Sequence, residues 1–140
     1  MTYLLDTNVI SELRRQKPNS AVTSWLDSQV DDDLFLSVIV VGEVRQAVER
    51  LRHRDRSQAA ALDAWLQATV TAFGHRILPI TVEIAQEWGR LNSRDPLPAA
   101  DSLIAATAHV HGLTLATRNT ADFMHTGVSV LNPFAANSRS

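Results

Sequence analysis

The sequence predicts an α/β fold in which helices cover both faces of a parallel sheet. Short apolar runs typical of strands alternate with amphipathic stretches, and the connections are long enough for helical crossovers. The chain has 140 residues, 45% hydrophobic and 20% charged, which suits one domain with a single core. We expect that domain over residues 1–134 and a C-terminal tail over 135–140.

Helical periodicity is clearest over 57–73, where apolar residues recur three and four positions apart. Gly74 follows this stretch and is expected to end the helix in a left-handed conformation. Five strands and six helices are predicted in all. The strands are 3–5, 34–36, 76–80, 113–116 and 128–131, and the helices are 7–14, 22–30, 38–53, 57–73, 81–91 and 99–111.

Composition excludes several classes of protein. Without cysteine the chain has no disulfide scaffold and no thiolate metal site. The longest apolar run, near 34–42, is too short to span a bilayer, and the N-terminus lacks the pattern of a signal peptide, so we expect a cytoplasmic protein. Because the net charge is −2, any binding of nucleic acid must depend on local positive charge or on a metal ion.

Three acidic residues stand where strands end or helices begin. Asp6 follows the first strand, Glu43 lies early in the helix after the second, and Asp101 lies in the first turn of helix 99–111. Each has a purely structural explanation as well: a helix cap, a solvated helix face and compensation of a helix dipole, respectively. The helix face of Asp101 continues through small and apolar residues, however. We therefore expect its carboxylate on the buried side, where an isolated charge is costly.

These three carboxylates should converge, because ligand sites in such sheets lie beyond the carboxyl ends of the strands. Carboxylates that meet repel one another and require a cation. Oxygen ligands without thiolates favour a hard ion, Mg²⁺ or Mn²⁺. Such an ion can activate water and neutralise the charge of a phosphodiester, so the pattern predicts phosphodiester hydrolysis.

Four segments resemble, in order, the motifs of the PIN-domain ribonucleases, specifically the VapC toxins and the related FitB proteins. They are LLDTNVISEL at 4–13, LSVIVVGE at 36–43, AADSLIAATA at 99–108 and LATRNTADF at 115–123. The resemblance extends to about Pro133. It implies a five-stranded parallel sheet, Mg²⁺- or Mn²⁺-dependent endoribonuclease activity on RNA, a homodimer, and neutralisation by a VapB-like antitoxin encoded alongside.

By position, the resemblance makes Asp6 and Asp101 the main metal ligands. Glu43 would complete the acidic site or orient water, and Thr7 and Asn8 would support the ligands.

The fourth acidic position departs from the family pattern. Where many relatives carry Asp, this chain has Asn119, with Asp122 three residues later. Asparagine can still accept through its carbonyl oxygen but brings no charge. We place Asp122 in the site, through water, with Asn119 beside it.

Two other functions fit part of the pattern. Aspartyl phosphatases of the HAD type also carry Asp after a strand, but they need a second Asp where this chain has Asn8. The other is a non-catalytic PIN-fold partner in a nucleic-acid-binding regulatory complex. The presence of all three principal carboxylates argues against it.

Two surface features have more than one interpretation. The apolar helix 57–73 is long for its core, so we expect part of its surface, near Trp65, to be covered by a second protomer or by the antitoxin. A basic group could contact RNA phosphates or the antitoxin, or form a solvated face. Its members are Arg45, Arg50, Arg52, Arg54 and Arg56.

Overall fold

A computed structural model of the protein describes residues 1–135 and shows five parallel strands in one sheet, with helices flanking it. The strands are β1 (Tyr3–Leu5), β2 (Leu34–Ser37), β3 (Ile77–Leu78), β4 (Thr114–Ala116) and β5 (Val130–Leu131). The helices are α1 (Thr7–Glu12), α2 (Ser20–Asp27), α3 (Val38–Arg52), α4 (Arg56–Phe73), α5 (Val82–Leu91) and α6 (Ala99–His111).

The predicted fold class and parallel sheet are confirmed. The strand order is β3-β2-β1-β4-β5, so the chain leaves β1 toward one edge and returns to β4 on its other side. This reversal opens a crevice at the carboxyl ends of β1 and β4, the usual place for a ligand site in open sheets. β3 and β5 are shorter than the predicted 76–80 and 128–131, because each is an edge strand with one pairing neighbour.

The main core lies on the central strands and on α6. Ala105 and Ala108 are fully buried, and their small side chains let α6 approach the sheet closely. Phe123 is 1% exposed and lies in a 3-10 segment, Thr120–Thr126, that follows β4. The cluster also contains Tyr3, Leu4, Leu5, Val9, Leu34, Leu36, Val40, Ile104 and Leu115.

Polar contacts fix α6 against α5. The Trp88 indole Nε1 donates to Ser102 Oγ at 2.8 Å, and Glu87 Oε2 lies 2.6 Å from His109 Nδ1. Desolvation opposes ionisation of Glu87, but the hydrogen bonds from Arg90 and His109 outweigh it and lower the Glu87 pKa. Because Ser102 follows Asp101 in the sequence, these contacts also hold the first turn of α6, which carries the candidate ligand.

The α3–α4 hairpin has a second apolar cluster of its own, formed by Val44, Val48, Leu62 and Leu66. Trp65 is half-buried and packs against this cluster and against the main core. Part of its ring is therefore buried within the fold, and coverage of the remainder by a second protomer or by the antitoxin stays a prediction.

The C-terminal ends of α4, α1 and α2 differ from the sequence prediction in conformation or in position. Gly74 has the expected positive φ of 54°, but its ψ of −123° is outside the left-handed helical region, and a short 3-10 turn follows. α1 ends at Glu12 rather than residue 14. α2 ends at Asp27, because Ser28 and Gln29 donate from their side chains to the Trp25 carbonyl, which leaves Val30 63% exposed.

The predicted tail at 135–140 is only partly described. Ala135 closes a last 3-10 turn, Pro133–Ala135, and residues 136–140 lie outside the described residues. Over residues 1–135, no helix has the combined length and apolar character that crossing a membrane requires.

Candidate functional site

Asp6 lies at the centre of the crevice, directly after β1. Its backbone N donates to Ala116 O at 2.9 Å, which joins the ends of β1 and β4. Its carboxylate caps α1 by accepting from Thr7 N at 2.8 Å, so the structural explanation as a helix cap holds. The side chain is nevertheless 5% exposed, and burial, with repulsion from Glu43 in addition, raises its pKa. A nearby cation would stabilise the ionised form of such a carboxylate.

Glu43 reaches the same crevice from α3, where it is half-buried. The Thr7 hydroxyl donates a short hydrogen bond to Glu43 Oε1 and so ties α1 to α3. Thr7 therefore contacts two carboxylates: its backbone N binds Asp6 and its hydroxyl binds Glu43. The role of Thr7 in supporting metal ligands, which the resemblance implies, stays a prediction.

Asp101 is half-buried in the first turn of α6. Its pKa is raised, first by desolvation and then by the negative charges of Asp6, Glu43 and Asp122. Each of the other three candidate carboxylates thus acts electrostatically on Asp101, although they come from separate elements. The electrostatic influence on the Asp101 carboxyl thus links all four acidic residues selected from the sequence, and their joint binding of an ion stays a prediction.

The fourth position contains Asp122 and Asn119, both exposed. Asp122 lies in the 3-10 segment after β4, and its backbone N donates to Asn119 O at 3.0 Å. Asn119 meets the site through its own backbone N, which donates to Thr117 Oγ1 at 3.0 Å. Of the two, Asp122 is the one whose charge acts on Asp101.

The donor set suits a hard divalent ion. Within residues 1–135, no three histidine or carboxylate groups lie close enough together to enclose an ion by themselves. Mg²⁺ does not need such an enclosure, because it is usually held by one or two carboxylates and keeps several waters. Burial and repulsion from neighbouring carboxylates raise the pKa values of Asp6 and Asp101, and a bound cation would favour the ionised form of both.

Thr117 is a site residue that sequence reasoning missed. It follows β4, is fully buried, and its hydroxyl donates to Asp6 Oδ2 at 2.8 Å. Asn8 Nδ2 lies 3.3 Å from Thr117 Oγ1 and 3.5 Å from Asp6 Oδ2. The only sequence signal was its place directly after a predicted strand, within the fourth motif.

We expect Thr117→Val to raise the pKa of Asp6 further, because the Thr117 hydrogen bond lowers it. Loss of a donor to a buried carboxylate should also destabilise the fold by about 1–3 kcal/mol. When the folded pKa of a carboxylate lies above its ordinary value of 3.8, the free energy of unfolding falls as pH rises through the folded pKa. The stability difference between Thr117→Val and the wild type should therefore be larger at pH 7 than at pH 4. Carboxyl NMR titration and thermal melting measure both effects.

Thr117→Ser is the matched control, since it keeps the hydroxyl. An unchanged Asp6 titration in Thr117→Val would contradict the assigned hydrogen bond.

A cleft of about 430 Å³ borders the candidate site at Glu43. Thr7 and Asn8 line it beside Glu43, and apolar residues of the α3–α4 hairpin contribute to its lining. Its remaining polar lining is basic except for Ser11 and Glu12: Arg14, Arg15 and Arg118. An elongated anionic ligand could therefore reach the carboxylates along this cleft only if their charge is offset.

The predicted basic group is partly neutralised. Arg45 lies 2.8 Å from Asp63 and 3.3 Å from Glu49, and Arg52 lies 3.0 Å from Glu49. Glu49 and Arg52 are exposed, and Arg45 and Asp63 are half-buried. Because both arginines already pair with acids of the same surface, the solvated-face interpretation is the better one for these two.

Comparison with known proteins identifies the family of this chain. The family model described as PIN domain matches residues 3–127. The toxin FitB of Neisseria gonorrhoeae is 40% identical over 136 residues, which cover 94% of this chain and 97% of that protein. The VapC ribonuclease Y4jK of Sinorhizobium fredii is 35% identical over 137 residues, covering 94% and 96%.

A solved structure of FitAB bound to an IR36 DNA fragment has a chain that superposes with a TM-score of 0.88 at 36% identity. The match covers 99% of this chain and 100% of that one. The resemblance predicted from the four motifs is thus confirmed over nearly the whole length. The chain belongs to the PIN domain family, among the toxins and ribonucleases of the FitB and VapC type.

Proposed function

We propose that the protein is a metal-dependent endoribonuclease that acts as the toxin of a toxin–antitoxin pair. The observation that supports this most is that Thr7 contacts both Asp6 and Glu43, while Asp6, Glu43 and Asp122 all raise the pKa of Asp101 in α6. The names of the relatives, a toxin and a ribonuclease, point to the same activity. The proposal places the protein in the cytoplasm, where RNA is available.

The proposed role of each acidic residue follows from its position and contacts. Asp6 and Asp101 would hold Mg²⁺ or Mn²⁺, and Glu43, restrained by Thr7, would complete the site or orient the attacking water. Asp122, which is exposed, would act through water. When bound, the ion supplies charge neutralisation on the phosphodiester and a more acidic water.

Asn8 and Thr117 do not need to touch RNA. Their hydrogen bonds fix the Asp6 carboxylate, as polar neighbours of ligands do in metal sites. Asn8 also accepts from Arg118 N at 3.1 Å, which keeps the chain after β4 at the rim of the site.

The partners of this chain are part of the same proposal. The relative solved as FitAB is bound to a DNA fragment. By analogy, we assign this chain an antitoxin of the VapB or FitA kind and a homodimeric assembly.

The test is RNA cleavage by protein purified free of its partner. Mg²⁺ or Mn²⁺ should support cleavage and EDTA should abolish it. Ca²⁺ should bind but support cleavage poorly, because its looser coordination positions water less well. Undiminished cleavage in EDTA would refute the metal mechanism.

The DNA-bound FitAB structure favours a second candidate, a non-catalytic partner in a DNA-binding complex. Absence of RNA cleavage under all metal conditions, with a partner complex that still binds DNA, would support it. The retained carboxylates favour the nuclease.

A further inference from the structure

Arg118 lies at the rim of the acidic site and is exposed, yet it is restrained from three sides. Its backbone N donates to Asn8 Oδ1 at 3.1 Å. Its guanidinium carbon lies 3.9 Å from the centroid of the Phe134 ring. One terminal nitrogen lies 4.0 Å from Glu12 Oε1. An exposed arginine is usually mobile, so these restraints indicate a role for its position.

Glu12 is the anchor of this arrangement. It is 5% exposed although it is charged, and its Oε2 accepts from Asn19 N at 2.8 Å. That bond closes the loop between α1 and α2, which carries Arg14 and Arg15. Arg15 Nη1 lies 3.5 Å from the same carboxylate. The buried Glu12 carboxylate therefore lies near two arginines of the cleft, Arg15 and Arg118.

The cleft carries both signs of charge. Three arginines, Arg14, Arg15 and Arg118, line it together with two carboxylates, Glu12 and Glu43. A nucleic-acid backbone that reaches the carboxylates would thus bring its neighbouring phosphates to the arginines. Stacking on an aromatic ring uses the face of a guanidinium and leaves its in-plane N–H donors free for a phosphate.

We propose that Arg118 binds the RNA phosphate next to the one that is cleaved, with Phe134 and Glu12 holding its guanidinium in place. This deepens the proposed function and rests on it. Arg118 sets where the strand lies, and the carboxylates then act on the adjacent phosphodiester. Because the contact is to the backbone, it contributes affinity rather than base preference.

The experiment measures RNA affinity separately from cleavage. A short fluorescein-labelled single-stranded RNA is titrated with protein in EDTA, and Kd is followed by anisotropy at several salt concentrations. Arg118→Ala should weaken binding about tenfold or more, as expected for loss of a charge-assisted hydrogen bond. The slope of log Kd against log salt should fall by about 0.7 for one lost phosphate contact. In Mg²⁺, KM should rise more than kcat falls.

Two more variants make the result specific. Arg118→Lys keeps the charge but loses the planar fork, so it should recover only part of the affinity. Phe134→Leu removes the stacking surface and should give an intermediate loss. The matched control is Arg52→Ala, which removes the same charge at the last residue of α3, where Arg52 pairs with Glu49, nine residues and about 13 Å beyond Glu43. It should change Kd less than twofold.

Three outcomes would overturn the proposal. One is an Arg118→Ala Kd equal to that of Arg52→Ala. A second is a fall in kcat with Kd unchanged, which would assign Arg118 to the support of the acidic site. A third is loss of binding to a co-purified protein partner with RNA binding intact. If the wild type binds RNA but never cleaves it, the nuclease function fails, while the comparison of affinities still decides the role of Arg118.

Discussion

Replacement of Asp101 by asparagine should lower RNA cleavage by about a hundredfold or more while leaving the metal-free protein at least as stable as the wild type. Misplacing the ion removes several kcal/mol of transition-state stabilisation, and each 1.36 kcal/mol is a factor of about ten in rate. The stability result follows from repulsion: Asp101 lies in the field of Asp6, Glu43 and Asp122, and burial raises its pKa in the same direction.

The pH dependence of this variant has a definite sign. A carboxylate with a raised pKa contributes stability that is complete below its ordinary value of 3.8 and is lost as pH rises through the folded value. The asparagine of the variant does not ionise, so the variant escapes that loss. The advantage of Asp101→Asn in EDTA should therefore grow from pH 4 toward pH 7, while stabilisation by added Mg²⁺ shrinks.

Melting curves with EDTA and with Mg²⁺, together with cleavage on the same samples, measure all three effects. Asp32→Asn, in an exposed acidic turn, is the control for loss of one negative charge. If Asp101 only compensated the dipole of α6, the variant would lose roughly 0.3–1 kcal/mol and keep its metal response. That pattern would remove Asp101 from the site.

Phe123→Ala should destabilise the fold by about 3–5 kcal/mol. Phe123 is 1% exposed and packs in the main core, although it belongs to the segment that carries Asp122. For a domain of this size, such a loss lowers Tm by about 10 °C or more. Thermal or urea unfolding measures it.

Met124→Ala is the matched control one residue later, since Met124 is 70% exposed. It should change the stability by about 0.5 kcal/mol or less. Similar losses in the two variants would mean that the segment is not anchored through Phe123.

Most of the fold could be predicted from the sequence, because the central strands are continuous apolar runs and the helices carry clear apolar stripes. The predicted boundaries are wrong where hydrogen bonding, rather than the hydrophobic pattern, decides where an element ends. The edge strands β3 and β5 lack a second pairing neighbour. α2 ended early because polar side chains bound one of its last carbonyls, which no hydrophobic period reveals.

The acidic residues of the candidate site could be selected from the sequence because carboxylates at strand ends and on an apolar helix face are unusual. The polar residues that contact them could not be selected in this way. The role of Thr117 depends on pairing between β1 and β4, and the burial of Glu12 depends on a loop amide seven residues later. Both contacts require the tertiary structure.

The hydrogen bond between Asp6 and Thr117 joins residues 111 positions apart, across the parallel pair of β1 and β4. Such long-range pairing forms late, because the intervening chain must first be ordered. During translation the ribosome releases the N-terminus first, so Asp6 emerges long before its partner exists. Asp101, Thr117 and Asp122 all come in the last third of the chain. A nascent chain of this protein therefore lacks an assembled site for most of its synthesis, while the messenger RNA that encodes it is still held beside it.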